Sequence, residues 1–459
     1  MVSNSPFLFA RLFVAVISLT VSNDLRAEEF RLSTFSADVT VPIGHGMMGG
    51  SWLSKSISDP LEAHGLVLIS DKTQPIVIVS VDWCEIRNEA FERWKHVLAE
   101  SAGTTPDRVI VTAIHQHDAP VADLDAERIL RERKLQGTVC DIEFHEKAVQ
   151  RVAAALKQSL SKARRITQIG LGKARVEKVA SNRRYTTPAG AVKFDRMSRS
   201  ADPVSVAADE GTIDPWLRSI SFCDGDAEVA VLSAYAVHPM SYYGQGEVSA
   251  DFPGLARRRR QKETPGVEQI YVNGCAGNVV AGKYNDGTPR SRLELADRLY
   301  HAMVQASTES KRFPLEKVQF RTTSIRLEPR NDAGFSVADL EKKLVESTPR
   351  FGQCLAAMGL SWRRRLDAGY KIEIPAIDFG PAFFMLLPGE SYIEYQLAAQ
   401  AMRPDKFVVV AGYGEGGTGY VPTEKHIAEH DPNLGDWWWV APGSEPRMLE
   451  GLRAVLSKD

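Results

Sequence analysis

Cysteine is scarce in this sequence, with five residues in a chain of 459, and no two of them are spaced as Cys-x-x-Cys. This scarcity excludes a zinc cage built from cysteines and a dense disulfide framework. Because the number is odd, at least one thiol stays unpaired within a monomer. The cysteines are Cys84, Cys140, Cys223, Cys275 and Cys354.

An excess of either charge is also missing. The chain has 56 Lys and Arg residues against 58 Asp and Glu residues, a formal net charge of -2. Composition therefore gives no reason to expect nucleic acid as a partner. The strongest basic run, residues 257–260, is followed by Lys262 and Glu263, which is typical of the solvated face of a helix.

Long apolar runs are missing apart from one near the N-terminus. Residues 12–21 are mostly apolar, Arg11 precedes them, and the small residue Ala27 follows at a plausible cleavage edge. The run is too short to span a bilayer comfortably, so the pattern predicts a signal peptide over residues 1–27. We therefore expect an exported protein, periplasmic or secreted, with a soluble mature chain.

Strand-like and helix-like segments alternate along the mature chain. A buried apolar stretch over 75–82 is followed by Phe91, Trp94 and Leu98 at helical spacing. This alternation predicts an α/β fold with β-sheets sandwiched by helices, and the lack of a Pro/Gly/Ser linker favours a single large domain. Predicted strands cover residues 75–82, 108–114, 227–237, 269–273, 318–327, 372–387 and 407–411; predicted helices cover 88–102, 142–162, 291–305, 337–346, 354–367 and 391–402.

The sharpest local motif is Ile-His-Gln-His-Asp over residues 114–118, at the end of a predicted strand. Residues two apart on a strand project from the same face, so His115 and His117 can approach one point. A rigid strand that ends in a loop is a normal place for a site. Two polar residues at the edge of a sheet explain the pair equally well.

Three further polar residues follow strand-like or glycine-rich segments. His238 ends a β-rich stretch, Glu390 lies at a turn before a helix, and Tyr420 ends the glycine-rich segment 412–420. An isolated histidine of this kind is more often structural than a ligand. Glu390 fits the first turn of a helix as well as it fits a metal site.

Taken in order along the chain, these residues and several short motifs resemble the neutral ceramidase family. The resemblance covers nearly the whole mature chain and includes Pro-Gly-Glu over 388–390 and Gly-Tyr-Val-Pro-Thr over 419–423. It does not include the C-terminal β domain of longer ceramidases. The other matching segments are residues 36–44, 59–63, 115–117, 182–184, 213–215, 238, 249–254 and 274–278.

The resemblance implies that residues 28–459 form a zinc hydrolase domain of the neutral ceramidase type. It implies one zinc ion held by His115, His238, Glu390 and Tyr420; His117 and Arg183 then lie beside the metal as catalytic residues. Zinc lowers the pKa of bound water to about 7 and polarises a carbonyl. The implied reaction is hydrolysis of an amide bond that is not a peptide bond, with a small-molecule or lipid amide as substrate and peripheral contact with a membrane surface.

The sequence departs from the family at one segment near the metal. Ceramidases carry a serine in a Gly-Asp-Val-Ser-Pro-like motif, whereas this chain has Gly-Asn-Val-Val-Ala over residues 277–281. Val280 therefore stands at the serine position and Asn278 at the aspartate position. This departure is compatible with a mechanism that uses water alone but excludes any step that requires the serine, and it leaves ceramide itself open as the substrate.

Two other hypotheses remain open from the sequence. His426, Glu429 and His430 fit the H-x-x-E-H pattern of a zinc peptidase, although Pro432 follows closely and disfavours a continuing helix.

Three adjacent tryptophans at 437–439 are compatible with sugar or lipid contact and equally with core packing. They support a non-catalytic glycan-binding or lipid-binding protein on the same scaffold. Cys275, on a glycine-rich turn, is more simply a buried small residue than a nucleophile.

Overall fold

The computed structural model of the protein describes residues 1–2, 28–135 and 137–457. The predicted signal peptide lies almost entirely outside these residues and remains a prediction. Within the described ranges, no helix combines the length and apolar character needed to cross a membrane.

Helices and strands alternate through the described chain. The α-helices are Asn88–Ala102 (α1), Leu124–Glu132 (α2), Ile142–Ser159 (α3), Pro203–Ala207 (α4), Asp251–Glu263 (α5), Pro289–Thr308 (α6), Val337–Glu346 (α7), Arg350–Asp367 (α8), Ile393–Met402 (α9), Glu424–Ala428 (α10) and Ser444–Leu456 (α11). The strands of the three large sheets are Phe30–Asp38 (β1), Glu62–Ser70 (β2), Ile76–Val81 (β3), Val109–Ala113 (β4), Arg164–Ile166 (β5), Gln168–Arg175 (β6), Trp216–Asp224 (β7), Ala227–Tyr235 (β8), Glu268–Asn273 (β9), Lys311–Pro314 (β10), Gln319–Ile325 (β11), Ile372–Asp378 (β12), Ala382–Leu386 (β13) and Phe407–Ala411 (β14).

Two-residue strands form small ladders between the loops. The pairs are Gly46–Met47 with Trp52–Leu53, Ser56–Ile57 with Glu247–Val248, Glu85–Ile86 with Val121–Ala122, Ser181–Asn182 with Val279–Val280, Tyr185–Thr186 with Val192–Lys193, and Glu390–Ser391 with Tyr420–Val421.

Each large sheet contains one parallel pair of strands at an edge, and the other pairs are antiparallel. The strand orders are β5-β1-β2-β3-β4, β9-β8-β7-β6-β10 and β11-β12-β13-β14. The parallel pairs are β3 with β4, β8 with β9, and β13 with β14. Helices α1, α5 and α9 provide the respective crossovers, because parallel neighbours need a long connection. Each sheet thus contributes one βαβ unit.

The three sheets pack on one another around a shared apolar core. It includes Ile78 and Ile110 of the first sheet, Leu232 of the second, and Phe384 and Val409 of the third, all at most 1% exposed. Helices cover the outer faces: α1 and α3 the first sheet, α5 and α6 the second, α9 and α11 the third. The predicted α/β class, with sheets sandwiched by helices in one large domain, is confirmed.

Most predicted elements exist, and α1 has exactly the predicted bounds. The single strand predicted over 372–387 is wrong. The chain turns between β12 and β13 at Gly380, whose φ of 87° suits glycine. The prediction omitted several elements, among them β1, β2, β6, β7, α2 and α11.

Candidate metal centre

Side chains from the three sheets meet where parallel strands end. His115 lies two residues after β4, His238 three residues after β8, and Glu390 four residues after β13. Backbone hydrogen bonds tie these edges together; for example, the amide of Ala113 donates to the carbonyl of Tyr413 at 3.1 Å. The parallel strands therefore deliver residues distant in sequence to one point.

The three side chains form a compact, buried cluster of ligand atoms. His115 Nε2 lies 2.9 Å from His238 Nε2 and 3.2 Å from Glu390 Oε2, and His238 Nε2 lies 3.5 Å from the same oxygen. Bonds of about 2.0–2.1 Å from zinc, at a tetrahedral angle, separate neighbouring ligand atoms by about 3.3 Å. The cluster therefore has the dimensions of one face of a zinc coordination sphere.

The second nitrogen of each ring fixes its tautomer. His115 Nδ1 lies 2.9 Å from the carbonyl oxygen of Cys84, and His238 Nδ1 lies 3.1 Å from that of Ala276. A carbonyl oxygen can only accept, so each Nδ1 carries a proton, and Nε2 is the ring atom that faces the cluster. Metal-binding histidines are oriented in this way. Glu390 Oε2 also lacks a hydrogen-bond partner within the described chain, so the donor set fits a metal cation.

His115 has an unusual backbone conformation, with φ of 67°. Such a conformation costs roughly 1–3 kcal/mol in a residue other than glycine and persists only where neighbouring structure enforces it. Here the amide of His115 donates to the carbonyl of Trp83 at 3.0 Å, and the side chain of Gln116 donates to the carbonyl of Asp82. The loop after β3 thus holds the two histidines of the motif in place.

Tyr420 lies beside Glu390 in a two-residue parallel ladder. The amide of Glu390 donates to the carbonyl of Gly419 at 2.9 Å. On the other side of Glu390, Gly277 makes a close approach: a Cβ atom there would lie 2.2 Å from the carbonyl oxygen of Glu390. This packing explains the need for glycine at position 277.

Arg183 and His117 border the same cluster. Arg183 Nη1 donates to the Tyr420 hydroxyl at 2.8 Å. The ring of His117 lies 5.2 Å from that of His238 and 5.0 Å from that of Tyr243, measured between centroids. His117 Nδ1 has no hydrogen-bond partner in the described residues.

Burial and neighbouring charge keep two of the histidines neutral. Burial lowers the pKa of His238 well below its ordinary value, and His115 and Arg183 lower it further. The pKa of His117 is lowered well below its ordinary value by the same three influences, with burial the largest. A neutral imidazole has a lone pair for a metal or a proton.

A cavity of about 640 Å³ opens onto the cluster. Its lining combines polar residues of the centre with apolar residues from α8, from the loop before α11 and from two other loops. The polar lining includes His115, His117, Arg183, Glu390 and Tyr420; the apolar lining includes Met48, Met197, Phe351, Leu355 and Trp437.

The structure contradicts the peptidase motif. Helix α10 ends at Ala428, so the two histidines do not share a helix, and His430 has a φ of 55°. Glu429 is held by Arg184 through contacts of 2.6 and 2.7 Å. A continuous helix fails to form because residue 431 precedes a proline.

The cysteines and two of the three adjacent tryptophans are core residues. All five cysteines are buried and free, and burial raises the pKa of the Cys275 thiol, as expected for a core residue. Trp438 and Trp439 are buried in the core, whereas Trp437 lines the cavity.

Sequence reasoning missed the loop after β3 as part of the centre. Cys84 and Glu85 lie directly behind His115, and Glu85 is fully buried in contact with Arg87 at 2.7 Å. The available signal was polar residues placed immediately after a buried strand.

Sequence comparison gives no match to a protein-family model and none to a curated protein. Solved structures do match. The neutral ceramidase from Pseudomonas aeruginosa superposes with a TM-score of 0.69 at 16% identity, covering 94% of this chain and 74% of that one. A ceramidase complexed with C2 superposes with a TM-score of 0.68 at 16% identity, covering 94% and 75%. The chain therefore has the fold of the neutral ceramidases over almost its full length.

Proposed function

We propose that this protein is a zinc-dependent hydrolase of non-peptide amide bonds, with a lipid amide as the reference substrate. The observation that carries this proposal is the buried cluster of two Nε2 atoms and one carboxylate oxygen, all within 3.5 Å of one another. Imidazole nitrogen and carboxylate oxygen at this spacing are the ligand types of a zinc site. The ceramidase fold supports an amide as the bond that is cut.

His115, His238 and Glu390 would hold the zinc ion, with the hydroxyl of Tyr420 as the fourth proposed ligand. When bound, zinc supplies a water of lowered pKa and polarises the substrate carbonyl. The carbonyl oxygens of Cys84 and Ala276 keep the imidazoles oriented toward the metal.

His117 is the proposed proton carrier. Its lowered pKa leaves the ring neutral, so it can accept a proton from the attacking water and deliver it to the leaving amine. Its unpartnered Nδ1 is available for that role. Hydrolysis then yields a carboxylate and an amine.

Arg183 is the proposed electrostatic partner of the reacting carbonyl. The guanidinium is fixed by the Tyr420 hydroxyl and by its own backbone, whose amide donates to Asn278 at 2.8 Å. A preorganised cation stabilises the negative charge that develops on the oxygen. It would also bind a polar headgroup.

The position of the family's serine supports a mechanism based on water. Val280 is fully buried, and its backbone lies in a short ladder with Ser181. Asn278 is occupied as well, since its Oδ1 accepts from the amide of Ile393 and its Nδ2 donates to Glu394. Neither side chain supplies a nucleophile, which supports attack on the substrate by water.

The proposal includes export by the N-terminal signal peptide and action of residues 28–459 at a membrane surface where lipid amides reside. Met197 lines the cavity and is 44% exposed, which suits contact with an apolar substrate.

The test is the zinc content and lipid amide hydrolysis of the mature protein, compared with His238→Ala and His426→Ala. His426 is a matched control because it is also buried but belongs to the peptidase motif. We expect one zinc per chain and hydrolysis in the wild type and in His426→Ala, and neither in His238→Ala. If the wild type binds lipid amides but takes up no zinc, the protein is a lipid-binding protein and the proposed enzyme is wrong.

A further inference from the structure

A second group of soft ligand atoms lies beside the proposed catalytic set. Cys84 borders the cavity, and its sulfur lies 3.9 Å from His115 Nδ1. Cys84, His115 and His117 each bring one ligand atom to within 4.8 Å of the other two. The group shares His115 with the catalytic set, and the Cys84 sulfur approaches the opposite nitrogen of its ring.

The spacing suits a metal ion. Bonds of about 2.3 Å to sulfur and about 2.0–2.1 Å to nitrogen, at a tetrahedral angle, separate the two ligand atoms by about 3.6 Å. The observed 3.9 Å is close to that separation. His117, 9% exposed, supplies an independent sign, because it lines the same cavity and its buried Nδ1 has no hydrogen-bond partner in the described residues.

The two groups differ in chemistry. The catalytic set offers two imidazoles and a carboxylate, whereas the second group replaces the carboxylate with a thiol. Thiolate with imidazole selects soft and borderline ions. We infer that Cys84, His115 and His117 form an inhibitory site for a thiophilic cation, for which Cd²⁺ is the probe.

Occupation of this site excludes the catalytic arrangement. The Cys84 thiol releases its proton to solvent when sulfur binds the cation. In the zinc-loaded protein His115 must first release zinc to solvent. Its proton then moves from Nδ1 to Nε2, so His115 loses both its bond to the Cys84 carbonyl and the ligand atom that faces His238. His117 is withdrawn from proton transfer at the same time. The inhibitory consequence rests on the proposed function, whereas binding itself does not.

The experiment is a titration of the zinc-loaded protein with CdCl₂, followed by the ultraviolet thiolate-to-cadmium charge-transfer band and by lipid amide hydrolysis. The variants are Cys84→Ser and Cys84→Ala, which keep the backbone carbonyl behind His115. Cys140→Ser is the matched control, since Cys140 is also buried and free but faces the carbonyl of Asp123 at 3.7 Å. Each variant is compared with its own activity before cadmium.

We expect a saturable band and inhibition in the wild type and in Cys140→Ser. Both Cys84 variants should lose the band and need about tenfold to a hundredfold more cadmium for the same inhibition. A band that persists in both Cys84 variants, or its absence from the wild type, would overturn the inference. If the wild type shows the band but hydrolyses no amide, the thiophilic site stands and the proposed function fails.

Discussion

The Nε2 atoms of His115 and His238 face each other at 2.9 Å, and Nδ1 holds a proton in both rings. The carboxylate of Glu390 lies 3.2 Å from the first of the two Nε2 atoms, so this space attracts positive charge, either a proton on Nε2 or a metal ion. A metal ion held by these three side chains binds only the folded chain, so metal binding and folding are coupled at this point.

The coupling predicts that the free energy of unfolding depends on zinc. For a ligand that binds only the folded state, free zinc at a hundred times its Kd adds about 2.7 kcal/mol relative to chelated protein. His115→Ala should abolish this increment, because it removes a ligand. Urea unfolding with and without a chelator measures the effect.

His426→Ala is the control and should respond to zinc as the wild type does. If zinc stabilises His115→Ala as much as the wild type, His115 is not a zinc ligand.

Arg183 and Arg184 are adjacent in sequence, but we expect only the substitution of Arg183 to lower activity. Arg183 is buried and donates to the Tyr420 hydroxyl, so Arg183→Met should lower kcat/KM for a lipid amide by about 10²–10³, as loss of an oxyanion donor does. Zinc content should stay near the wild-type value. Steady-state kinetics alongside metal analysis separates the two effects.

Arg184→Met serves as the matched control. Its guanidinium pairs with Glu429 at the edge of the domain, with side chains 21% and 28% exposed, and such a pair contributes at most about 1 kcal/mol. It should keep full activity. Equal losses in the two variants would make Arg183 a structural residue only.

Sequence patterns predicted the segments of this fold better than their arrangement. The bounds of α1 follow from apolar residues at helical spacing, and the histidine pair follows from its place after β4. His238 also ends a β-rich stretch, but nothing local links it to His115: the two side chains meet only because the segments after β8 and β4 converge. Which strand ends meet depends on packing between sheets, which periodicity does not encode.

Two failures have different physical causes. The turn at Gly380 had a local signal, since Gly-Pro punctuates strands, and the apolar character on both sides hid it. The failure of the peptidase motif also had a local cause, the proline after Asp431. By contrast, the partnership of Cys84 with His115 depends on the parallel pairing of β3 with β4.

Glu62 gives a prediction for the dependence of stability on pH. Its Oε2 lies 3.4 Å from His64 Nε2 and 2.9 Å from Arg257 Nη2. The hydrogen bond with His64, followed by the charge of Arg257, lowers the pKa of Glu62 in the folded state. The ionised carboxylate therefore contributes stability above its unfolded pKa of about 4.3, and that contribution is lost as pH falls toward the folded pKa.

Urea unfolding of chelated wild type and Glu62→Gln from pH 7 to pH 3 tests this. The stability difference should be largest near neutral pH and shrink below about pH 4.3. Glu143→Gln is the control, as that side chain is 86% exposed and 3.8 Å from Lys147, and it should change little at any pH. A difference for Glu62→Gln that is constant over the whole range would contradict the assigned contacts.

Trp437 joins the cavity wall to the metal centre through Glu85, and we expect it to contribute to substrate affinity. Its Nε1 donates to Glu85 Oε1 at 3.2 Å, and its ring stacks on Phe351 with centroids 6.1 Å apart. Trp437→Ala should remove apolar contact with the hydrocarbon of the substrate, worth about 1.5–3 kcal/mol. Because this contact is the same in the ground state and the transition state, KM should rise about tenfold or more while kcat stays nearly constant.

Trp437→Phe separates the hydrogen bond from the contact. It keeps an aromatic surface but leaves Glu85 without one donor, so its effect on KM should be smaller than that of alanine, and its effect on stability should be about 1–3 kcal/mol. Trp438→Phe is the control, because that indole packs over Arg330 at 4.1 Å and its Nε1 has no partner in the described chain. Should kcat and kcat/KM fall equally in Trp437→Ala, the wall would act on the transition state rather than on binding.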